Sequence, residues 1–280
     1  MAKSAMGSIR EVEVTCVAWM DLLGYGSMLK EGFFDPLNPL SLEAINRLHE
    51  FHKIVASKAK RNFNILALND GVAIFRDLSP RSNDVTFDFI RNAIELHNSV
   101  NSFEQSKNFP GSRMIIATGF RVRGKNDIHY PDATNILLNK LKMGQISPEQ
   151  AIFEASRARP HFGIVPELQA NFAFTKAYLV DSGGAKLGFP GPSCYIDLTM
   201  FDKSIPEWIV FKKIIPWKDM NMQANFGLLQ ELDVDKAVKL KIKGLLDALE
   251  IANVLSNSEE SAKNLLKLRV TKNLRIKKVP

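Results

Sequence analysis

Apolar and polar positions follow two different periods along this chain, and the changes of period mark its elements. Residues 11–21, EVEVTCVAWMD, alternate Glu with Val and then run apolar, the pattern of a strand whose later half is buried on both faces. Pro36, Asn38 and Pro39 mark a loop, after which Leu42, Ile45, Leu48, Phe51, Ile54 and Val55 recur at helical spacing, with Ser41 the expected N-cap. FNILALNDGVAIFRDL reads as two short strands around Asn69, Asp70 and Gly71, a strong hairpin signal. A helix over roughly 84–105 and a strand RMIIATGFRVR, interrupted at Gly119, complete this part.

The order strand, helix, hairpin, helix, strand predicts an α/β (α+β) fold: a mixed, mainly antiparallel sheet covered by helices on one face. Further helices are expected around 133–141, at 147–158 and from Pro166 to about Asp181, with strands in SCYIDLTMF and EWIVFKKII. Residues 233–255 and 258–270 read as two C-terminal helices that pack as an antiparallel pair. The expected division is a domain over 1–215 and a helical extension over 216–280.

Composition narrows the class. The 280 residues are 45% hydrophobic and 24% charged, with no apolar run near the ~20 residues of a membrane span. The start lacks an apolar stretch of secretory type, and Cys16 and Cys194 make neither a disulfide framework nor a metal-ligand spacing. A cytoplasmic protein without membrane attachment is expected. The formal charge of +7 lies entirely in the last twenty residues, which hold seven Lys and Arg and no acid. Such a tail can attract nucleic acid, but no aromatic residue is interleaved for stacking, so a solvated end is the simpler expectation.

Chemistry concentrates at two acids. Asp21 ends the first strand and Asp70 lies in the hairpin turn; with the hairpin beside that strand, the carboxylates converge at one sheet edge. Two close carboxylates repel unless a cation lies between them, an arrangement suited to Mg²⁺ or Mn²⁺ with phosphate oxygens. Leu22, Leu23, Gly24, Tyr25 and Gly26 follow, a glycine-containing loop leading into a helix N-terminus, where backbone amides can cradle phosphate. Taken singly, Asp70 reads as a turn residue and Asp21 as a helix cap.

VAWMDLLGYG, LNDGVAIF and RMIIATGFRV, in that order between helices, resemble the catalytic core of class III nucleotidyl cyclases over roughly residues 11–200. NFAFTKAYLVDS and PSCYID are similar to a helix and strand of the bacterial antiphage pyrimidine cyclases of the Pycsar type. The resemblance implies a two-metal site on Asp21 and Asp70, a nucleoside triphosphate substrate, a cyclic monophosphate product, and a homodimer with sites between subunits. One subunit would supply the metals and the other an Asn and a basic side chain. Asn171 matches that Asn. The expected Arg falls on Thr175, leaving Lys176, Arg157 or Arg159 as the cation. Leu66 and Ile164 stand where purine enzymes place base-reading polar residues, which points to UTP or CTP. The competing expectations are a purine cyclase and a catalytically silent nucleotide-binding relative. Within the motifs, Asn171 alone reads as a polar helix position, Lys176 as a solvated charge and Tyr178 as core or interface.

Overall fold

The computed structural model describes residues 11–123, 133–157, 165–219 and 222–256. The apolar run of the first strand does what its pattern requires. β1 (Glu11–Leu22) is paired on both edges, with β3 (Gly71–Asp77) and β4 (Ser112–Arg123), both antiparallel. Its side chains alternate between two cores: Cys16, Ala18 and Met20 face one, Val17 and Trp19 the other. A strand buried on both faces needs a near-continuous apolar sequence.

Seven strands form one sheet in the order β2-β3-β1-β4-β5-β7-β6. The outer members are β2 (Asn64–Leu68), β5 (Cys194–Asp197), β6 (Ile209–Asp219) and β7 (Met222–Leu232). Among the described residues only β4 and β5 pair in parallel, so the sheet is mixed and mainly antiparallel, as the pattern predicts. A boundary at residue 215 falls inside β6, and β7 continues the same sheet.

Helices cover both faces, not one. α2 (Pro39–Lys58), α3 (Asp84–Ser106) and α8 (Ala248–Leu255) bury Phe51, Phe89, Val100 and Ile251 on the first face. α6 (Phe172–Gly183) lays Ala173, Ala177 and Val180 on the second. α1 (Tyr25–Glu31) and α2 follow β1, while α4 (Ala133–Lys142) and α5 (Pro148–Arg157) lie between β4 and α6.

Several local expectations change for physical reasons. α2 is capped by Asn38, whose side chain accepts the Leu40 amide, with Pro39 in the first turn; Ser41 is already inside the helix. The expected helix from Pro166 is a short 3₁₀ turn over Pro166–Leu168 before α6 begins. Residues 233–255 divide into α7 (Val234–Lys239) and α8, because Lys241 and Ile242 take φ of 50° and 55°. α8 then restarts on a capping box: Asp247 accepts the Leu249 and Glu250 amides, and Glu250 accepts the Asp247 amide. The segment 258–270 and the basic tail lie outside the described residues.

β4 runs through Gly119 without interruption. The glycine serves α6 instead: a Cβ there would stand 2.7 Å from the Ala173 nitrogen and 3.1 Å from its Cα. We expect Gly119→Ala to destabilise the protein by about 2 kcal/mol, since backbone must yield and no flexible side chain can absorb the contact. Urea unfolding measures this; a neutral or stabilised variant would mean that α6 does not bear on β4.

Candidate functional site

Register brings the two acids together. Asp21 pairs with Gly71, so the hairpin turn containing Asp70 lies alongside the end of β1, and the Leu22 amide donates to the Asp70 carbonyl at 3.0 Å. The turn is Asn69–Asp70, with Asn69 at φ 57°, and Gly71 already belongs to β3. Gly71 is required by Trp19, whose ring would lie 2.6 Å from a Cβ placed there. The His52 ring nitrogen meets the Asn69 carbonyl at 2.8 Å and ties the turn to α2.

The electrostatics of this corner are unbalanced. Burial pushes the Asp21 carboxyl up to about 7, with the charges of Asp181 and Asp70 acting in the same direction and Arg113 and Arg47 opposing them. Asp181, on α6, accepts from Arg113 Nε at 2.6 Å and from Trp19 Nε1 at 3.1 Å. Asp21 and Asp70 enter no ion pair among the described residues; the Asp70 carboxylate accepts from the neighbouring Asn69 side-chain amide at 3.0 Å. Two hard oxygen donors crowded by like charge suit Mg²⁺ or Mn²⁺, which need one or two carboxylates when phosphates complete the shell. Among the described residues no group of three or more His, Cys, Asp or Glu could hold a metal ion, so these two acids are what the chain offers at this corner.

The loop after Asp21 is held by its own backbone. The Leu23 amide donates to the Gly111 carbonyl at 2.9 Å, and Gly24, at φ 77°, starts α1. Gly24 is the residue at the N-cap position and makes no side-chain cap, so Asp21 is not a helix cap. Leu22 and Tyr25 bury their side chains, at 1% and 5% exposure, and the glycines at 24 and 26 leave backbone exposed between and beyond them. The amides of residues 24–27 have no acceptor among the described residues, and nothing stands within 4 Å of a Cβ placed on Gly26.

Asn171 and Lys176 do not join this corner within the same chain. Asn171 is the N-cap of α6: its side chain accepts the Phe174 amide at 3.0 Å and donates to the Glu167 carbonyl at 2.8 Å. It bridges Arg121 on β4, whereas Asp21 pairs with Arg113. Those eight residues of strand span ~26 Å. Lys176 is buried, not solvated, and its Nζ pairs with the fully buried Asp197 at 2.8 Å. Arg157 ends α5, but its side chain, with Arg159, His161 and Ile164, lies outside the described residues. Tyr178 is half-exposed on α6, its ring edge-on to Trp19 at 5.6 Å.

Arg113, Asp181, Arg47 and Glu104 escaped the sequence reading, although a signal existed. Arg47 continues the buried stripe Ala44, Arg47, Phe51, Val55, and Glu104 follows Val100 on the buried face of α3. A charge in an apolar register implies a buried partner.

A carboxyl whose pKa is raised on folding holds its proton more tightly in the native state, so its ionisation lowers stability as pH climbs from 3.8 to about 7. Asp21→Asn removes that penalty. Without added metal, the variant should match the wild type near pH 4 and exceed its Tm by about 3 °C at pH 8. Thermal unfolding across this range measures it; a constant difference would remove the case for a crowded carboxylate.

No family model matches the chain, and no curated protein matches it. Among solved structures it is similar to the guanylyl cyclase Cya2, at 15% identity over 81% of this chain and 95% of that one, with a TM-score of 0.45. A bacterial light-regulated adenylyl cyclase matches at 9% identity over 92% of this chain and 59% of that one, with a TM-score of 0.41. The guanylate cyclase domain of RhGC from Catenaria anguillulae in complex with GTP matches at 11% identity over 80% of this chain and 99% of that one, with a TM-score of 0.35. At these identities and scores the functional reading rests on the chain's own residues.

Proposed function

We propose that this protein is a nucleotidyl cyclase that converts a pyrimidine nucleoside triphosphate, UTP or CTP, to its 3′,5′-cyclic monophosphate and pyrophosphate. The observation that carries this reading is the corner itself. Among the described residues, Asp21 and Asp70 lie close together without an ion pair, and the four backbone amides of the loop that follows Asp21 have no acceptor. A divalent cation held by the two carboxylates would supply Lewis-acid charge beside the phosphates.

The chain's own residues do the rest. Amides 24–27 bind phosphate oxygens and orient the triphosphate. Trp19 and Arg113 fix Asp181 near Asp21, where its charge adds to the crowding, and the pairing of β1 on both edges keeps Asp21 in place. Asn171 stands at the far end of α6, out of reach of Asp21 in the same chain. That separation supports a homodimer in which each chain offers its acid corner to the opposite end of the other. Leu66 packs against the apolar cluster of the second face, which supports a base site without a purine-type polar reader. The antiphage signalling role rests on the sequence resemblance to Pycsar enzymes.

A second reading has its own observation. Lys176 and Asn171 are both committed to structural bonds, and Thr175 replaces the expected Arg, which favours a silent nucleotide-binding protein. Incubating the protein separately with ATP, GTP, CTP and UTP, with Mg²⁺ or Mn²⁺, separates the two. The cyclase reading expects a cyclic pyrimidine monophosphate by mass, reduced at least about a thousandfold in Asp21→Ala and in Asp70→Ala. Cyclic AMP or GMP would overturn the pyrimidine assignment. Triphosphate binding without turnover would establish the silent protein.

A further inference from the structure

We infer that the buried Arg47–Glu104 pair is a positioning device, which sets the course of the loop that follows Asp21. The inference rests on the proposed function for its catalytic consequence, but not for its structural content.

Both side chains are completely buried, and they come from different helices, α2 and α3. Arg47 Nε donates to both Glu104 oxygens at 3.0 Å. Its Nη2 also donates to the Leu23 carbonyl at 3.0 Å and lies 3.4 Å from the Gly111 carbonyl. Glu104 in turn accepts the Gly111 amide at 3.2 Å. The Phe109 ring covers the guanidinium, with its centroid 4.9 Å from the central carbon.

Leu23 is therefore tied at both backbone groups, its amide to Gly111 and its carbonyl to Arg47, two residues beyond Asp21 and one before Gly24. Gly111 is closely packed: at φ 92°, a Cβ there would stand 2.5 Å from Pro192 and 2.7 Å from Asn101. The guanidinium fork thus fastens the loop to the fixed start of β4. A buried ion pair is a poor source of stability, because desolvation offsets much of the attraction and a well-packed apolar pair serves as well or better. What an apolar pair cannot do is hold the Leu23 carbonyl. A lysine cannot reach Glu104 and that carbonyl through one planar group, so the fork geometry matters as well as the charge.

The full-length double variant Arg47→Met/Glu104→Leu separates positioning from stability. It should fold with a Tm at or above that of the wild type. Its Leu23 and Gly111 amides should exchange with solvent about tenfold faster or more, while β1 amides keep their protection. Turnover of the triphosphate that the wild type uses should fall by about 10- to 100-fold, since small misplacements of binding groups cost that much. A folded double variant with unchanged Leu23 protection would overturn the inference. If the double variant does not fold, Arg47→Lys decides: Leu23 exchange rises while Gly111 stays protected, and unchanged Leu23 exchange overturns the claim. The exchange measurement needs no nucleotide. A wild type inactive on every triphosphate would therefore sink the cyclase reading while the positioning claim is still decided.

Discussion

A strand paired on both edges and buried on both faces cannot slip, because a one-residue shift would turn every side chain to the wrong core. β1 is held in this way, and its last residues inherit that rigidity. Asp21 is carried to a definite place at the sheet end, and the hairpin partner sets Asp70 beside it through the same register. The site depends on this pairing before it depends on any loop.

Charge is distributed around that strand with a consistent logic. Glu104 is matched by Arg47, Asp181 by Arg113, Asp77 by Arg121 and Asp197 by Lys176. Asp21 and Asp70 are left without an ion pair among the described residues, and burial, with like charge nearby, pushes the Asp21 carboxyl up. Uncompensated charge in a folded protein is expensive and marks a place where something else supplies the balance. The matched pairs hold elements in position; the unmatched acids are the ones to which the proposed function assigns a ligand.

α6 connects the two ends of the molecule. Its C-terminal part brings Asp181 to Trp19 and Arg113 near the acid corner, while its N-cap, Asn171, meets Arg121 at the other end of β4. Gly119 lets the helix lie directly on the strand between those points. A helix packed directly on the strand keeps the two ends apart, and the proposed dimer rests on that separation.

The sequence by itself determined the elements whose pattern is repeated and apolar. The first strand, the hairpin, helices α2 and α3 and the β4 strand are all legible from period and turn residues, and the pairing of Asp21 with Asp70 follows from their order. Local chemistry was harder to read where it competes with periodicity: the capping box at Asp247 lies hidden in an apolar run, and Asn38 outcompetes Ser41 as a cap because Pro39 suits the first turn. Only the tertiary structure decided the fate of the buried charges. Arg47, Glu104, Lys176 and Asp197 are each ordinary in the sequence, since a charged side chain carries no mark of the partner it will meet 21 or 57 positions away. Long-range packing brings those partners together, and so decides which buried charges are matched, while Asp21 and Asp70 have no ion pair among the described residues.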